Sequence, residues 1–514
     1  ASVEKATGKP LEESASIFHA ACAERGTITA NVISALRRLD GVDFRTSMEK
    51  ISPVFGILLR DAVFAQMDEE SQNVYFGSIT ELWEQSGIPE SKIAAKAMAF
   101  CANQEGVRGH VGYYLLGEGK AKFAHSIGCK RKSAKKEHRT KQLLYFVPLL
   151  GICAVGVGAL DYALYRQQAN VLEMIGCSLM GIVLFLCIAQ DIMNRFAGML
   201  KPAFLPKMDY QDLPADCATL LCVPSVVFSP EDAKRQMESL QVHFHAFPGA
   251  KAYVLLCDLF EADVQHKDAD EEMIAMGKRT AREMTDALDG NFIFAIRPRA
   301  YAGKDKIWRG ADRKRGALHE LNNALRKAPT KLEFHGGQLP QDIQYVITMD
   351  ADTHLAPDEA RKLVCTMAHP LNKAAGYGIM QPRMSTNAAS KTASRIARIY
   401  AADGIDFYAQ ATSEVYMDIS GEGNYVGKGI YHVDTFAKKA EAVIRPGTVL
   451  SHDLLEGCLA KCALVSDIQA VDGFPQRYTS WAKREHRWVR GDWQLLPYLL
   501  GSPKGLNGER VRLS

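Results

Sequence analysis

The sequence predicts an α/β domain with a largely parallel sheet, preceded by a helical region and two apolar helices of membrane length. From Asp216 onward, short apolar runs alternate with helical stretches, the pattern of a chain that crosses over between parallel strands. Leu143 to Leu160 holds no charged residue and Val171 to Ala189 only Glu173. Each comes close to the roughly 20 apolar residues that a bilayer core of about 30 Å asks of a helix. Before them, from about Leu11 to Glu118, apolar residues recur at helical spacing, as in Val32, Ala35, Leu36 and Leu39, or Ile57, Leu58, Ala62 and Val63.

Taken in order, the chain divides into a helical region (1–128), a basic juxtamembrane segment with two transmembrane helices (129–200), an α/β domain (201–500) and a short linker (501–514). The basic run Lys130, Arg131, Lys132, Lys135, Lys136, Arg139 and Lys141 abuts the first apolar stretch. By the positive-inside rule this places both flanking regions in the cytoplasm and makes Asp161 to Asn170 a short outer turn. The same charges can attract anionic lipid, and a buried soluble hairpin is the competing reading. Strands are expected at Thr219 to Val227, Ala252 to Cys257, Phe292 to Ile296, Tyr345 to Met349 and Gly378 to Gln381. Helices are expected at Pro230 to Gln241, Asp270 to Leu288, Arg313 to Leu325 and Pro357 to Thr366.

A net charge of +3 over 514 residues gives no electrostatic reason to expect a nucleic-acid partner. The 12 cysteines are dispersed without a C-x-x-C pair, so reduced thiols are expected rather than a zinc ribbon or disulfide framework. The chain opens at Ala1 without Met and ends soon after an apolar segment, and is expected to be part of a longer protein.

Ligands of open parallel sheets sit at the carboxyl ends of the strands, so chemistry is sought there. The strand Tyr345 to Met349 ends in Asp350-Ala351-Asp352. Two carboxylates one residue apart at a strand end can share a hard cation that bridges two phosphates, although acidic residues also form ordinary turns. Ser451-His452-Asp453 opens an apolar helix. It reads as an N-cap, or as a rigidly held Asp453 that accepts a proton from an attacking hydroxyl. A third element, Trp481 to Trp493, interleaves tryptophan with arginine. It reads as an amphipathic helix in the membrane interface, as a place where guanidinium groups pair with a diphosphate and an indole stacks on a sugar, or as both.

Together Asp350-Ala351-Asp352, His452-Asp453 and Arg484-Glu485-His486-Arg487-Trp488 resemble the D-x-D, (E)D and Q-x-x-R-W series of membrane-bound, processive GT-A glycosyltransferases such as cellulose synthase. Arg484 stands where those enzymes carry Gln. A closer resemblance, over nearly the whole chain, is to cyclic β-1,2-glucan synthases. It runs through His110 to Leu115, Lys314 to Leu318, Gly421 to Tyr431 and Arg487 to Pro497. It implies a GT-A-like domain in which Asp350 and Asp352 bind Mg²⁺ or Mn²⁺ with the UDP diphosphate and Asp258 contacts uracil. Lys314 and Arg315 would lie near the nucleotide, Asp453 would be the base, and Arg484, Arg487 and Trp488 would serve the diphosphate and acceptor side.

The implied activity is inverting transfer of glucose from UDP-glucose to a growing, protein-linked β-1,2-glucan, followed by ring closure. The implied setting is a multi-pass protein of the bacterial inner membrane with a cytoplasmic transferase domain. Its partners would be UDP-glucose, the growing β-glucan chain, the lipid bilayer and C-terminal carbohydrate-active domains. Another processive transferase of the cellulose or hyaluronan type is the alternative, and a catalytically silent scaffold a second. For the glucan-attachment residue, Asp406 to Tyr431 offers Tyr408, Tyr416, Tyr425 and Tyr431, any single one of which reads first as a core or cleft-wall aromatic, and acceptors in the N-terminal region or in further domains stay open.

Overall fold

The computed structural model of the chain describes residues 51–514 apart from 130–133, 198–201, 304, 402–413, 450–451, 502, 507 and 512–514. Before residue 51 it describes only 10, 16, 19–20, 24–32 and 34. The helical pattern at Val32 to Leu39 therefore lies largely outside the described residues, as do Lys130, Arg131, Lys132, Tyr408 and Ser451.

The strands, in chain order, are β1 (Thr219–Val227), β2 (Ala252–Leu259), β3 (Phe292–Arg297), β4 (Ala300–Ala302), β5 (Ile307–Arg309), β6 (Glu333–Gly336), β7 (Tyr345–Thr348), β8 (His354–Leu355), β9 (Ile379–Thr386), β10 (Gly429–His432) and β11 (Cys462–Asp472). Nine of them form one sheet in the order β6-β3-β2-β1-β7-β10-β9-β11-β8, and β4 pairs with β5. The five strands expected from sequence are β1, β2, β3, β7 and β9, and β1, β2, β3 and β7 pair in parallel. Along β1 the side chains alternate between two cores, Leu221 and Val223 on one face, Leu220 and Cys222 on the other. Helices Pro230–Ala246, Asp268–Leu288 and Glu359–Ala368 contribute to the first core, and Arg313–Leu325 and Asp453–Ala460 to the second. β10 runs antiparallel to both β7 and β9. Its first residue, Gly429, pairs with Thr348, so Lys428 arrives beside the D-x-D turn. Val471 of β11 pairs antiparallel with His354 of β8, which sets Asp472 beside Thr353.

The two apolar stretches form helices Ala134–Arg166 and Val171–Ala197, both long and apolar enough to cross a membrane. The first helix runs past the expected turn at Asp161 to Arg166. Ser178 Oγ donates to Asp161 Oδ1 at 2.6 Å from the facing helix, so the carboxylate is satisfied without ending the helix. Leu150, Val155, Leu179 and Leu184 are mostly exposed, whereas a soluble hairpin of this composition would cover them. Tyr145 and Leu149 of the first helix and Ala189 of the second form a small core with Val415 and Ile419 of the α/β domain. At the other end of the chain, Val511 packs with Ile444, Leu455 and Tyr498.

The region before the hairpin is helical, with Glu69–Ser86 and Glu90–Cys101 its longest described helices, and its apolar faces merge with the first sheet core. A buried polar clasp holds it. Asp61 accepts from the amides of Val63, Phe64 and Val111 and from His110 Nδ1 at 2.9 Å. That bond fixes the tautomer, so His110 Nε2 accepts the Tyr75 hydroxyl at 2.7 Å. Burial pushes the Asp61 carboxyl up, but His110 and the amides more than offset it and leave it low. His369 of the α/β domain stacks edge-on to His110 at 5.7 Å, so the clasp also meets the sheet.

A Cβ at Gly112 would strike the Tyr75 hydroxyl and His110 Nε2. Gly112→Ala is therefore expected to cost about 1–3 kcal/mol by overpacking. The thermal midpoint should fall and proteolysis within residues 51–129 should accelerate; an unchanged midpoint would contradict the packing described.

Candidate active site

Asp350 follows β7 and is held by two lysines from separate elements. Lys314, in the first turn of helix Arg313–Leu325, places Nζ 2.5 Å from Asp350 Oδ1 and 2.7 Å from the Gly427 carbonyl. Lys428, just before β10, places Nζ 3.2 Å from Asp350 Oδ2 and contacts Asp472 Oδ2. The other Asp472 oxygen accepts from Thr353 Oγ1 at 2.5 Å. Burial pushes the Asp350 carboxyl up, yet the two ammonium groups more than offset this and bring it down to about 2. Burial likewise depresses both lysines, and the carboxylates reverse it: Asp350 and Asp453 raise Lys314, while Asp350 and Asp472 raise Lys428. Asp352 lies at the exposed rim. Its carboxyl is raised, first by partial desolvation and then by Asp472 and Asp350.

Asp453 joins the same centre through Lys314 and the loop at Gly427. Gly427 has φ of 79°, and a Cβ there would come 2.7 Å from Asp453 Oδ1, so only glycine lets this loop pass over the carboxylate. Behind Asp453, buried His452 places Nδ1 3.0 Å from Glu456 Oε2 and 3.5 Å from Asp453 Oδ1. Burial lowers the imidazole, but Glu456 and Asp453 raise it more. Arg315 braces the other side of Glu456, with Nε 3.8 Å from Oε1 and Nη2 donating to the Ile444 carbonyl at 2.7 Å. His452, Asp453 and Glu456 place one ligand atom each within 4.8 Å of one another. That spacing suits a metal, but the imidazole and guanidinium already balance the two carboxylates.

The remaining candidates sit around this centre. Asp258, near the end of β2, is buried and gives both oxygens to Arg297, whose Nη2 also donates to the Arg313 carbonyl at 2.7 Å. Asp312 and Arg313 adopt φ of 52° and 48° at the start of the Lys314 helix, a strained turn of the kind active sites hold. Helix Tyr478–Trp493 carries Arg484, Arg487 and Trp488. The Arg484 guanidinium stacks on Trp488 at 4.7 Å and on Phe474 at 5.1 Å. Phe474 follows Gly473, whose amide donates to the Asp352 carbonyl, so this helix is tied to the D-x-D turn. Arg487 is exposed. Burial first, then the like charges of Arg309 and Arg487, lower Arg313, which marks a basic cluster beside Lys314.

The structure thus brings Asp350, Asp352, Asp453 and Lys314 together, and directs Arg315 to the back of the Asp453 helix. Sequence reasoning gave no role to Lys428, Asp472, Thr353 or Glu456. Lys428 lies within the Gly421 to Tyr431 stretch, but a lysine between two glycines carries no motif of its own. Of the tyrosines offered for glucan attachment, Tyr425 and Tyr431 are corrected. Both are fully buried, and the Tyr431 hydroxyl donates to Asn322 Oδ1 at 2.9 Å. Burial pushes both phenols far up, so neither is reachable or activated.

The loop carrying Lys428 is moored by Glu414, which accepts from the Asn424 amide and side chain, and by Gln381 Oε1, which accepts from the Val426 amide at 2.7 Å. Burial pushes the Glu414 carboxyl up to about 7 from an ordinary 4.5. The folded state therefore binds the extra proton, and the stability this contributes is complete below pH 4.5 and lost as pH rises through about 7. Glu414→Gln should flatten that decline when thermal midpoints are followed across the window. Parallel curves for the two proteins would show that the carboxyl titrates normally.

No protein-family model matches the chain. Over 93% of its length it is 32% identical to "Cyclic beta-(1,2)-glucan synthase NdvB" of Rhizobium meliloti (strain 1021), of which it spans 18%. The resemblance carried by the motifs is thus borne out as homology to a segment of such a synthase. Among solved structures, mannosyl-3-phosphoglycerate synthase from Rubrobacter xylanophilus matches at 12% identity and a TM-score of 0.26, over 53% of this chain and 72% of that one. Glucosyl-3-phosphoglycerate synthase from Mycobacterium tuberculosis, solved with Mn²⁺, UDP and glucosyl-3-phosphoglycerate, matches at 13% and 0.25, over 54% and 78%. Superpositions this partial carry no argument for the present chain.

Proposed function

We propose that this chain, homologous to part of a cyclic β-(1,2)-glucan synthase, is its glucosyl-transferring, GT-A-like segment: an inverting, metal-dependent β-glucosyltransferase that moves glucose from UDP-glucose onto a growing β-1,2-glucan. The observation that carries the reading is the convergence of Asp350 and Asp453 on one lysine, Lys314. In-line transfer requires the leaving diphosphate and the acceptor hydroxyl to be held at one centre, and this convergence supports such a centre. The D-x-D residues fit a divalent cation, Mg²⁺ or Mn²⁺, because Asp350, Asp352 and Asp472 gather at the strand ends, where burial first and then Asp472 and Asp350 raise the Asp352 carboxyl. When bound, the ion supplies charge neutralisation for the departing diphosphate.

The chain's own residues account for the rest of the transfer. Asp453 accepts the proton of the acceptor hydroxyl while that oxygen forms its bond to the anomeric carbon and the bond from that carbon to UDP breaks on the opposite face. UDP leaves as an anion, so Lys314 and the Arg313 and Arg487 cluster can stabilise it without a proton donor. One carboxylate base therefore suffices, unlike the carboxylate pair of glycoside hydrolases. Asp258 would reach uracil through the Arg297 pair that orients it, and the exposed Trp488 offers a face to the acceptor sugar. The two apolar helices would span a bacterial inner membrane and keep this domain on the cytoplasmic side, where the basic run lies. The glucan chain and the C-terminal carbohydrate-active domains of a longer protein complete the set of partners.

Asp352→Ala is expected to abolish metal-dependent UDP binding in calorimetry. Asp453→Asn should leave that binding within about 3-fold while lowering turnover by roughly 10²–10⁴, since an amide fills the space of a base but accepts no proton. Comparable loss of binding in both would make Asp453 a nucleotide-binding or structural residue. Linkage analysis of the product from UDP-glucose should show β-1,2 bonds; β-1,4 bonds would replace this reading by one of the cellulose type.

A further inference from the structure

The Gly421 to Tyr431 stretch places a second cation in the donor site, and nothing in the transfer reaction as derived above uses it. Lys428 is almost buried, with a side-chain exposure of 13%, and reaches Asp350 Oδ2 and Asp472 Oδ2 together. Asp472 is itself fixed, by Thr353 Oγ1 on one oxygen and the Lys428 ammonium on the other. The loop behind Lys428 is pinned on three sides, by Glu414 at Asn424, by Gln381 at Val426 and by Lys314 at the Gly427 carbonyl. Long lysine side chains at a surface cost entropy to hold in one place and rarely do so without a partner. Here Asp472 supplies that partner and is not part of the D-x-D pair.

We infer that Lys428, anchored by Asp472, is a built-in counter-cation that occupies Asp350 in the absence of metal and makes metal binding depend on the donor diphosphate. This rests on the transferase reading of the same site. With Lys314 on Oδ1 and Lys428 on Oδ2, Asp350 presents no oxygen free of an ammonium neighbour. A divalent ion arriving alone meets like charge at short range, in a setting where screening is weak. A nucleoside diphosphate reverses this, because its negative oxygens accept Lys428 and the metal together. Metal and nucleotide then favour one another by a shared coupling factor, identical whichever binds first. The site would thus avoid holding a metal ion without its donor.

The test uses the full chain in detergent or nanodiscs, Mn²⁺ binding followed by electron paramagnetic resonance with and without UDP, and UDP binding by calorimetry with and without Mn²⁺. Lys428→Met should bind Mn²⁺ alone about 5-fold more tightly or better, and the Mn²⁺–UDP coupling factor should fall about 10-fold. Lys428→Arg, which keeps the charge, should stay near the parent on Mn²⁺ alone and report on folding. Asp472→Asn, which frees the ammonium from its anchor, should lower the coupling. Weaker or unchanged Mn²⁺ binding by Lys428→Met without UDP, in a protein whose Lys428→Arg partner is folded, overturns the inference while leaving the transferase reading in place. Normal coupling in a parent protein that transfers no glucose would instead remove the transferase reading and keep Lys428 as the counter-cation.

Discussion

Everything at the candidate site turns on the confinement of Asp350 between two lysines that reach it from different parts of the chain. A lone carboxylate at the end of a buried strand is expensive, and its ordinary escape is protonation. Lys314 and Lys428 remove that escape by bringing the carboxyl down to about 2. Their own placement then constrains the fold. Lys314 requires the left-handed turn at Asp312 and Arg313 to start its helix, and Lys428 requires β10 to run against β7 with Gly429 opposite Thr348. The antiparallel insertion in an otherwise parallel run is what lets a residue before a strand meet a residue after one.

The same reasoning extends to Asp453, proposed above as the base. Asp453 is a partly exposed carboxylate, but its helix is built over buried ionic groups: His452, Glu456 and Arg315. Buried ion networks of this kind are rarely the most stable filling for their volume. A hydrophobic substitute would pack as well but would leave the base without a fixed neighbour on its rear side. The network holds Asp453 from behind, opposite the side on which Lys314 and the Gly427 loop approach it. Stability given up here is regained in the two sheet cores, where β2 and β7 are buried along their whole length.

What could be read from the sequence follows from how much each element depends on its own residues. β1, β2, β3 and β7 are continuous apolar runs buried on both faces, so they declare themselves, and the D-x-D turn declares itself by following one. β11 does not. Ser466, Asp467 and Gln469 interrupt it, and its pairing with β9 shifts register between Val465 and Gln469. Such a bulge destroys the alternation by which a strand is recognised, and it leaves Asp467 in contact with buried Lys207. With β11 unread, Asp472 at its end was unreadable too, and β10 is only 4 residues long. Lys428 and Asp472 are therefore legible only from pairings between distant segments, which no local pattern encodes.

The two apolar helices and the α/β domain are joined by more than chain connectivity. Val415 and Ile419 pack on Tyr145, Leu149 and Ala189, and Gln142 donates to Ser420 at 3.1 Å. Asp418, on the same short helix, accepts from the Ala203 amide at 2.7 Å, which fixes the chain as it leaves the second apolar helix. That helix, Val415–Ser420, ends at Gly421, where the loop carrying Asn424, Gly427 and Lys428 begins. Its preceding residue, Glu414, is the one that moors Asn424. A single segment of about fifteen residues thus touches the apolar hairpin at one end and the D-x-D carboxylate at the other. Any tilt of the hairpin that moved Val415–Ser420 would be carried to Lys428 along this segment and through the Glu414 carboxylate that moors Asn424. The apolar hairpin and the D-x-D carboxylate are therefore linked along one short stretch of described chain.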